Sequence, residues 1–511
     1  MNSSDDATYL LYLINHTNFM SDQNPKFQTA HYSAIISLAT IMVCAFTLRF
    51  WGLNHHIHTD ENKVVNPSAM LANGEQAPLL YPRGSYYPHL YHYVLAVAFI
   101  PAAIADDEQT YKTDNNSVYM LIARVVTAFI GSATVLLVFF LGRLLGGTSL
   151  GLLAALFFAA LPIHVKYSHY AHVDTPLTLM AMLTLYSGIR LWQKGTARWY
   201  LMTGALVGLS ASTHYPGFAL GIVLLIAHMH YVWLAPQKIN AFFRPAFLVS
   251  LCMIPLSFIL TSPYLVVDWK HTWETYTKLN QRALTGDLGY TRTSILWPLY
   301  TQTPDWGIPF TKTGLIWETH PLLFLLAFLG LLLSVLNRRW DIAALVGLTA
   351  IVFYLAISGY VRMTAIKRLL PITPLISLLG AYALLATTKK WQLMYKAGLI
   401  GVIIAIIFLQ NTWELIGFNV AYSAGSTHDH AVHWTEHNLP EGSVVLQHTP
   451  IRLLNWDDPR FNTVRLNEVY ASFNPDDPEV GRDRARPLDS WLAEEQLDFI
   501  VLDSRIVDRY Y

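Results

Sequence analysis

Two acids stand side by side at Asp60-Glu61, a third carboxylate, Asp174, opens a later apolar run, and a basic pair, Lys367-Arg368, opens another far downstream. Arg83, Arg124, Lys166 and Arg362 add positive charge between them. Threaded through a bilayer, as argued below, all of these reach one membrane face. Acids and bases gathered there suit chemistry on a lipid-anchored phosphate better than conduction. The apolar runs themselves are nearly free of the mid-depth charges that mark transporters. Each group also has a plainer structural reading. Thr59 or Asp60 could cap a helix, Asp174 followed by Pro176 could do the same, and Lys367 and Arg368 could simply snorkel to headgroups. The histidines His55, His56, His58, His89, His92, His164, His169 and His172 lie near these acids. Imidazole and carboxylate together suit a divalent metal, but no strict ligand spacing is present, and interfacial hydrogen bonding is the simpler expectation.

The elements that must position these groups are membrane helices. Of 511 residues, 53% are hydrophobic and only 13% charged, about half the charged share usual in soluble domains. The formal net charge of zero gives no footing for a nucleic-acid partner. Cys44 and Cys252 are the two cysteines, which excludes a disulfide framework and a cysteine metal site. Residues 1–30 are polar, show no cleavable signal pattern and are read as a cytoplasmic N-terminal segment. Apolar runs near 31–51, 121–142, 147–165, 173–192, 199–213, 216–235, 244–262, 318–336, 341–358, 367–387 and 397–412 can each cross a bilayer. Every second connector is basic: Arg143; Lys194 and Arg198; Lys238 and Arg244; Arg338 and Arg339; Lys389, Lys390 and Lys396. By the positive-inside rule those connectors are cytoplasmic, the N-terminus is inside and the C-terminus outside. The run at 86–105, with two prolines and two histidines, is then expected to be re-entrant or surface-lying. The fold class expected is an all-α polytopic membrane protein of about eleven transmembrane helices, spanning 31–412, with external loops at 52–120 and 263–317. Residues 413–511 follow as a small external α/β domain, with strands at VVLQ (444–447) and DFIVLD (498–503) flanking a helical DSWLAEEQ.

The order and spacing of several short motifs resemble the GT-C glycosyltransferases, and more closely the branch of protein O-mannosyltransferases and lipid A aminoarabinose transferases. The matching residues are Asp60-Glu61, the proline-aromatic segment Tyr86-Tyr87-Pro88-His89-Leu90-Tyr91, Arg124, the turn Gly142-Arg143-Leu144-Leu145-Gly146, Pro162, Asp174, and Arg368 with Pro371 and Pro374. The resemblance covers about residues 40–390. Where many relatives have a basic residue before the proline-aromatic segment, this chain has Tyr87, and its nearest base is Arg83. The resemblance implies inverting transfer of a sugar from a polyprenyl-phosphate donor, at the external membrane face, to a protein, lipid or glycan acceptor. The alternative is a transporter or flippase for a lipid-linked sugar. The implied roles are Asp60 as general base, Glu61 orienting it or the acceptor, and Asp174 binding sugar hydroxyls or sharing the base role. Arg83, Arg124, Lys367 and Arg368 are the candidate phosphate clamp. No cofactor is certain, a divalent metal stays open, and the 263–317 loop could cover the site.

Overall fold

The computed structural model describes residues 25–53, 60–80, 87–105, 118–285, 295–296, 299, 314–358, 366–423, 433–435, 437–447, 460–465 and 498–501. Its first helix, α1 (Pro25–Phe50), is followed by two shorter helices, α2 (Asn62–Ala72) and α3 (Leu90–Ala105). The long α4 (Val118–Gly146) turns at Gly146-Gly147 into α5 (Thr148–Ala159), α6 (Pro162–Ser168) and α7 (Asp174–Lys194). Further on lie α8 (Ala197–Thr213), α9 (Gly221–Leu234), α10 (Pro245–Thr261) and α11 (Trp269–Thr285). The last helices are α12 (Pro321–Leu336), α13 (Thr349–Ser358), α14 (Thr373–Thr387) and α15 (Leu393–Ser423).

Each of the eleven expected ranges holds helix. Among the described residues seven helices are long and apolar enough to cross a membrane, or eight if one bent pair counts as a span. That pair is α5 and α6, where a single span was expected at 147–165. Its two halves meet at 64° because Pro162 has no amide hydrogen to continue the ladder and its ring crowds the preceding turn. The carbonyl of Ala159, at the last residue of α5, accepts from Arg49 Nη1 at 3.1 Å, a guanidinium fully buried at the end of α1. α7, α8 and α12 fall outside the count because they are more polar or shorter.

Helix contacts are made close by small residues. A Cβ added at Gly142 would lie 2.7 Å from the Gly151 Cα, so α4 and α5 touch backbone to backbone, as small residues permit in membrane helices. This gives the Gly-Arg-x-x-Gly turn a packing role. The expected basic connectors meet in space: Arg339 donates to the Leu145 carbonyl, and Arg244 Nη1 to the Gly195 carbonyl at 2.7 Å.

α3 has 16 residues, roughly 24 Å of helix, which is short of the ~30 Å hydrocarbon layer. It buries Tyr91, Leu95 and Phe99 against Val64, Val65 and Ala69 of α2 and Tyr119, Met120 and Ala123 at the start of α4. Val94, Val97, Ile100 and Ile104 face outward. The two short helices therefore pack together on the first turns of α4.

Beyond α15 three strands, β1 (Val444–Gln447), β2 (Asn462–Arg465) and β3 (Phe499–Val501), form a parallel sheet in the order β2-β1-β3. β1 and β3 fall on the two expected segments. β2, only four residues long, carries too short a pattern to read from sequence. DSWLAEEQ lies outside the described residues.

Candidate functional site

The site forms where the connectors opposite the basic turns converge. Lys367 and Arg368 sit in a 3₁₀ turn, Ile366–Ile372, that runs into α14. Pro371 and Pro374 favour such a tight entry. Ile366 and Leu370 bury against Ile163 of α6, and the two cations between them are half-buried. Lys367 Nζ reaches Asp60 Oδ2 at 2.7 Å, and Lys63 Nζ reaches Asp60 Oδ1 at 2.7 Å. Asp60 is 24% exposed and Lys367 14%, so this ammonium is paired inside the protein rather than extended to headgroups.

Neither acid acts as a helix cap. The cap position of α2 is Glu61 and that of α7 is Val173, and neither side chain caps its own helix with a hydrogen bond. Asp174 is 1% exposed and lies between two imidazoles, with His172 Nδ1 2.7 Å from Oδ2 and His214 Nδ1 3.4 Å from Oδ1. His172 Nε2 is 3.0 Å from the Tyr87 hydroxyl, and the Tyr87 ring meets both imidazoles edge-on at centroid distances of 5.4 and 5.6 Å. With Asp174 Oδ2 2.7 Å from Nδ1, a neutral His172 protonated at Nδ1 would offer its Nε2 lone pair to the Tyr87 hydroxyl. Two residues on, the His89 amide donates to Ser262 Oγ at 3.0 Å, and Ser262 is held by Ser212 at 2.6 Å.

Electrostatics tie the two carboxylate groups together. Burial pushes the Tyr87 phenol well above its usual range, the charges of Asp60 and Asp174 push the same way, and Arg368 opposes them. His172 is lowered from the ordinary imidazole value, first by burial and then by the Lys367 ammonium. Asp60, Asp174, Lys367 and Arg368 thus all act on one Tyr-His pair.

Glu61 and Arg124 pair with each other in the protein interior beside these loops. Both were expected at the reactive face, yet Glu61 is fully buried and Arg124 is 3% exposed. Arg124 Nε and Nη2 donate to the two Glu61 oxygens at 2.9 and 2.8 Å, and its Nη1 donates to the Leu53 carbonyl at 3.1 Å. Lys166 pairs with Glu318 at 3.3 Å and with Glu414 at 3.9 Å. Arg83, Arg362, His55, His56 and His58 lie outside the described residues. His169 sits between the Val165 and Trp51 carbonyls, and His164 beside Arg49; these are protein contacts rather than the water and headgroup contacts expected. Among the described residues no three His, Cys, Asp or Glu side chains are arranged to hold a metal ion. Sequence reasoning passed over His214, which carries no motif, and treated Tyr87 only as part of an aromatic run. The one signal pointing to Tyr87 was its place where relatives carry a base.

Residues 116–267 match the family described as dolichyl-phosphate-mannose-protein mannosyltransferase. That stretch includes Arg124 and Asp174 but neither Asp60 nor Lys367. By sequence alone no curated protein matches the chain. In three dimensions it is similar to ArnT from Cupriavidus metallidurans bound to undecaprenyl phosphate, at 16% identity and a TM-score of 0.53, covering 90% of each chain. It is also similar to the oligosaccharyltransferase AglB from Archaeoglobus fulgidus, in complex with an inhibitory peptide and a dolichol-phosphate. There the identity is 13% and the TM-score 0.50, over 82% of this chain and 62% of that one; the chain thus spans less than two thirds of that enzyme's length. The fold is that of the GT-C proteins. The family match over residues 116–267 lies within that fold.

Proposed function

We propose that the protein transfers a sugar from a polyprenyl-phosphate carrier to an acceptor hydroxyl on a protein, lipid or glycan, at the external face of the membrane and with inversion at the anomeric carbon. The observation that carries this reading is the 2.7 Å approach of Lys367 to Asp60, with Arg368 adjacent in the same turn. A carboxylate and two cations, held at one end of an apolar bundle, supply the two functions such a transfer needs.

In this reading the acceptor oxygen attacks the anomeric carbon while the bond from that carbon to the phosphate oxygen breaks. The bonding pair leaves with the phosphate, and the acceptor proton passes to Asp60. Lys367 and Arg368 hold the phosphate as its charge grows, by charge-assisted contacts in a partly dry site. A single displacement of this kind inverts the configuration. Asp174 acts at one remove. Its carboxylate fixes His172, which orients the Tyr87 hydroxyl, and that hydroxyl keeps lone pairs to receive a sugar or acceptor O–H. The likeness to structures holding undecaprenyl phosphate and dolichol-phosphate supports the donor class. A site whose positive charge comes from Lys367 and Arg368 needs no further cofactor for these steps, and a divalent metal would be an addition to them.

The test is transfer by purified protein in lipid nanodiscs from a panel of polyprenyl-phosphate sugars to membrane acceptors, with the anomeric configuration of the product determined by NMR. Inverted product supports the reading. Absence of transfer from every donor in the panel, or product with retained configuration, overturns it.

A further inference from the structure

The buried Glu61–Arg124 pair joins parts of the chain that flank the two carboxylates of the site. Glu61 follows Asp60 directly, and its Oε1 accepts the amide of Ala171 at 2.9 Å as well as Arg124 Nε. Ala171 immediately precedes His172 and lies three residues before Asp174. Arg124 belongs to the first turns of α4 and also takes the Leu53 carbonyl just beyond α1. One carboxylate and one guanidinium therefore tie together the end of α1, the loop bearing Asp60, the long helix α4 and the loop bearing His172.

We propose that Glu61 and Arg124 form a positioning unit that sets the register between Asp60 and the Tyr87–His172–Asp174 array. This extends the transfer reading given above and rests on it for its catalytic consequence. Stability alone explains the pair poorly, because an ion pair taken out of water returns little net energy compared with apolar residues of the same volume. What it does provide is direction. The planar fork of arginine fixes a carboxylate in both angle and distance, and here the free edge of that carboxylate captures the backbone of the opposite loop. Asp60 and Asp174 stand on loops separated by more than a hundred residues, and small displacements of reacting groups reduce rates steeply. The same geometry accounts for Arg124 without giving it a phosphate: its Nε, Nη1 and Nη2 are all directed into the protein.

Two variants and two readouts test the proposal. Glu61→Gln removes the charge and keeps one acceptor; Arg124→Lys keeps the charge and removes the fork. Each should lower kcat roughly ten- to a hundredfold while the donor KM stays within about twofold. The double variant should be no worse than either single one, since both disable the same unit. Gly142→Ala, which loosens the α4–α5 contact at the opposite end, serves as a control for lost stability: measured well below its melting temperature, it should keep its kcat. The second readout needs no substrate. Hydrogen–deuterium exchange should accelerate in the peptide covering 169–174 in both variants, while α7 and α14 keep their protection. A donor KM that rises with kcat unchanged would make Arg124 a phosphate ligand and overturn the proposal, as would unchanged exchange at 169–174. If Glu61→Gln does not fold, Arg124→Lys carries both measurements. Loss of the transfer reading itself would show as an inactive wild type, with the exchange result still deciding whether the unit holds the two loops together.

Discussion

Lys367 and Asp60 are 307 positions apart in the chain and 2.7 Å apart in space. Their contact brings the entry to α14 against the loop that follows α1, and it joins the two groups to which the proposed reaction assigns opposite tasks. Asp60 accepts from Lys63 as well, so an oriented carboxylate stands between two ammonium groups at the rim of the bundle.

Replacing Asp60 by Asn keeps the size of the side chain and one acceptor oxygen but removes the base and its attraction for both lysines. Transfer should fall by roughly a hundredfold or more, with donor binding retained. Single-turnover rates beside equilibrium donor binding in nanodiscs would show this. Full transfer by Asp60→Asn would remove Asp60 from the chemistry.

Lys367→Met and Arg368→Ala should each weaken the stabilisation of the leaving phosphate by about 2–4 kcal/mol in the transition state. Both proteins should remain folded in detergent, because the Ile366 and Leu370 contacts that anchor the turn are untouched. The check is kcat/KM with a fixed donor, alongside thermal melting. Near-normal activity of Arg368→Ala would mean that this side chain merely packs at the membrane edge.

The protein should lose stability on acidification through the imidazole range. His172 is lowered from its ordinary value by burial first and by Lys367 second. The unfolded chain, with an imidazole pKa of about 6.5, therefore takes up a proton that the folded chain resists. The stability this group contributes is present above about pH 6.5 and is lost as pH falls toward its folded pKa. Melting temperatures measured across this range should decline more steeply for the wild type than for His172→Gln. Parallel curves would show that the ring titrates alike in both states.

Orientation can be tested with cysteines, since Cys44 and Cys252 are both exposed and would first be replaced by alanine. In that background a cysteine in place of Lys270, exposed on α11, should react with an impermeant maleimide in intact cells. One in place of Arg143, exposed at the turn between α4 and α5, should react only after permeabilisation. The reverse pattern would put the site on the cytoplasmic face.

Much of this protein could be read from its sequence, because a bilayer imposes simple rules. Helices must be long and apolar, and basic residues stay on one side, so the helical ranges and the shared location of Asp60, Asp174, Lys367 and Arg368 follow from composition and charge alone. β1 and β3 were legible for a similar reason, as short apolar runs in a polar segment. What sequence left open was which charge meets which. Glu61 and Arg124 looked as available as Asp60 and Lys367, since all four sit near the ends of apolar runs. Only packing separates them: α2 and α3 close over the first turns of α4 and seal one ion pair away from water, while the 3₁₀ turn at Ile366–Ile372 delivers the other to the rim. His214 and Tyr87 were hidden for the same reason. Their part depends on a 2.7 Å and a 3.4 Å approach to Asp174 and on a tyrosine hydroxyl 3.0 Å from His172. Contacts between loops so distant in the chain are fixed by the tertiary fold, and no local periodicity encodes them.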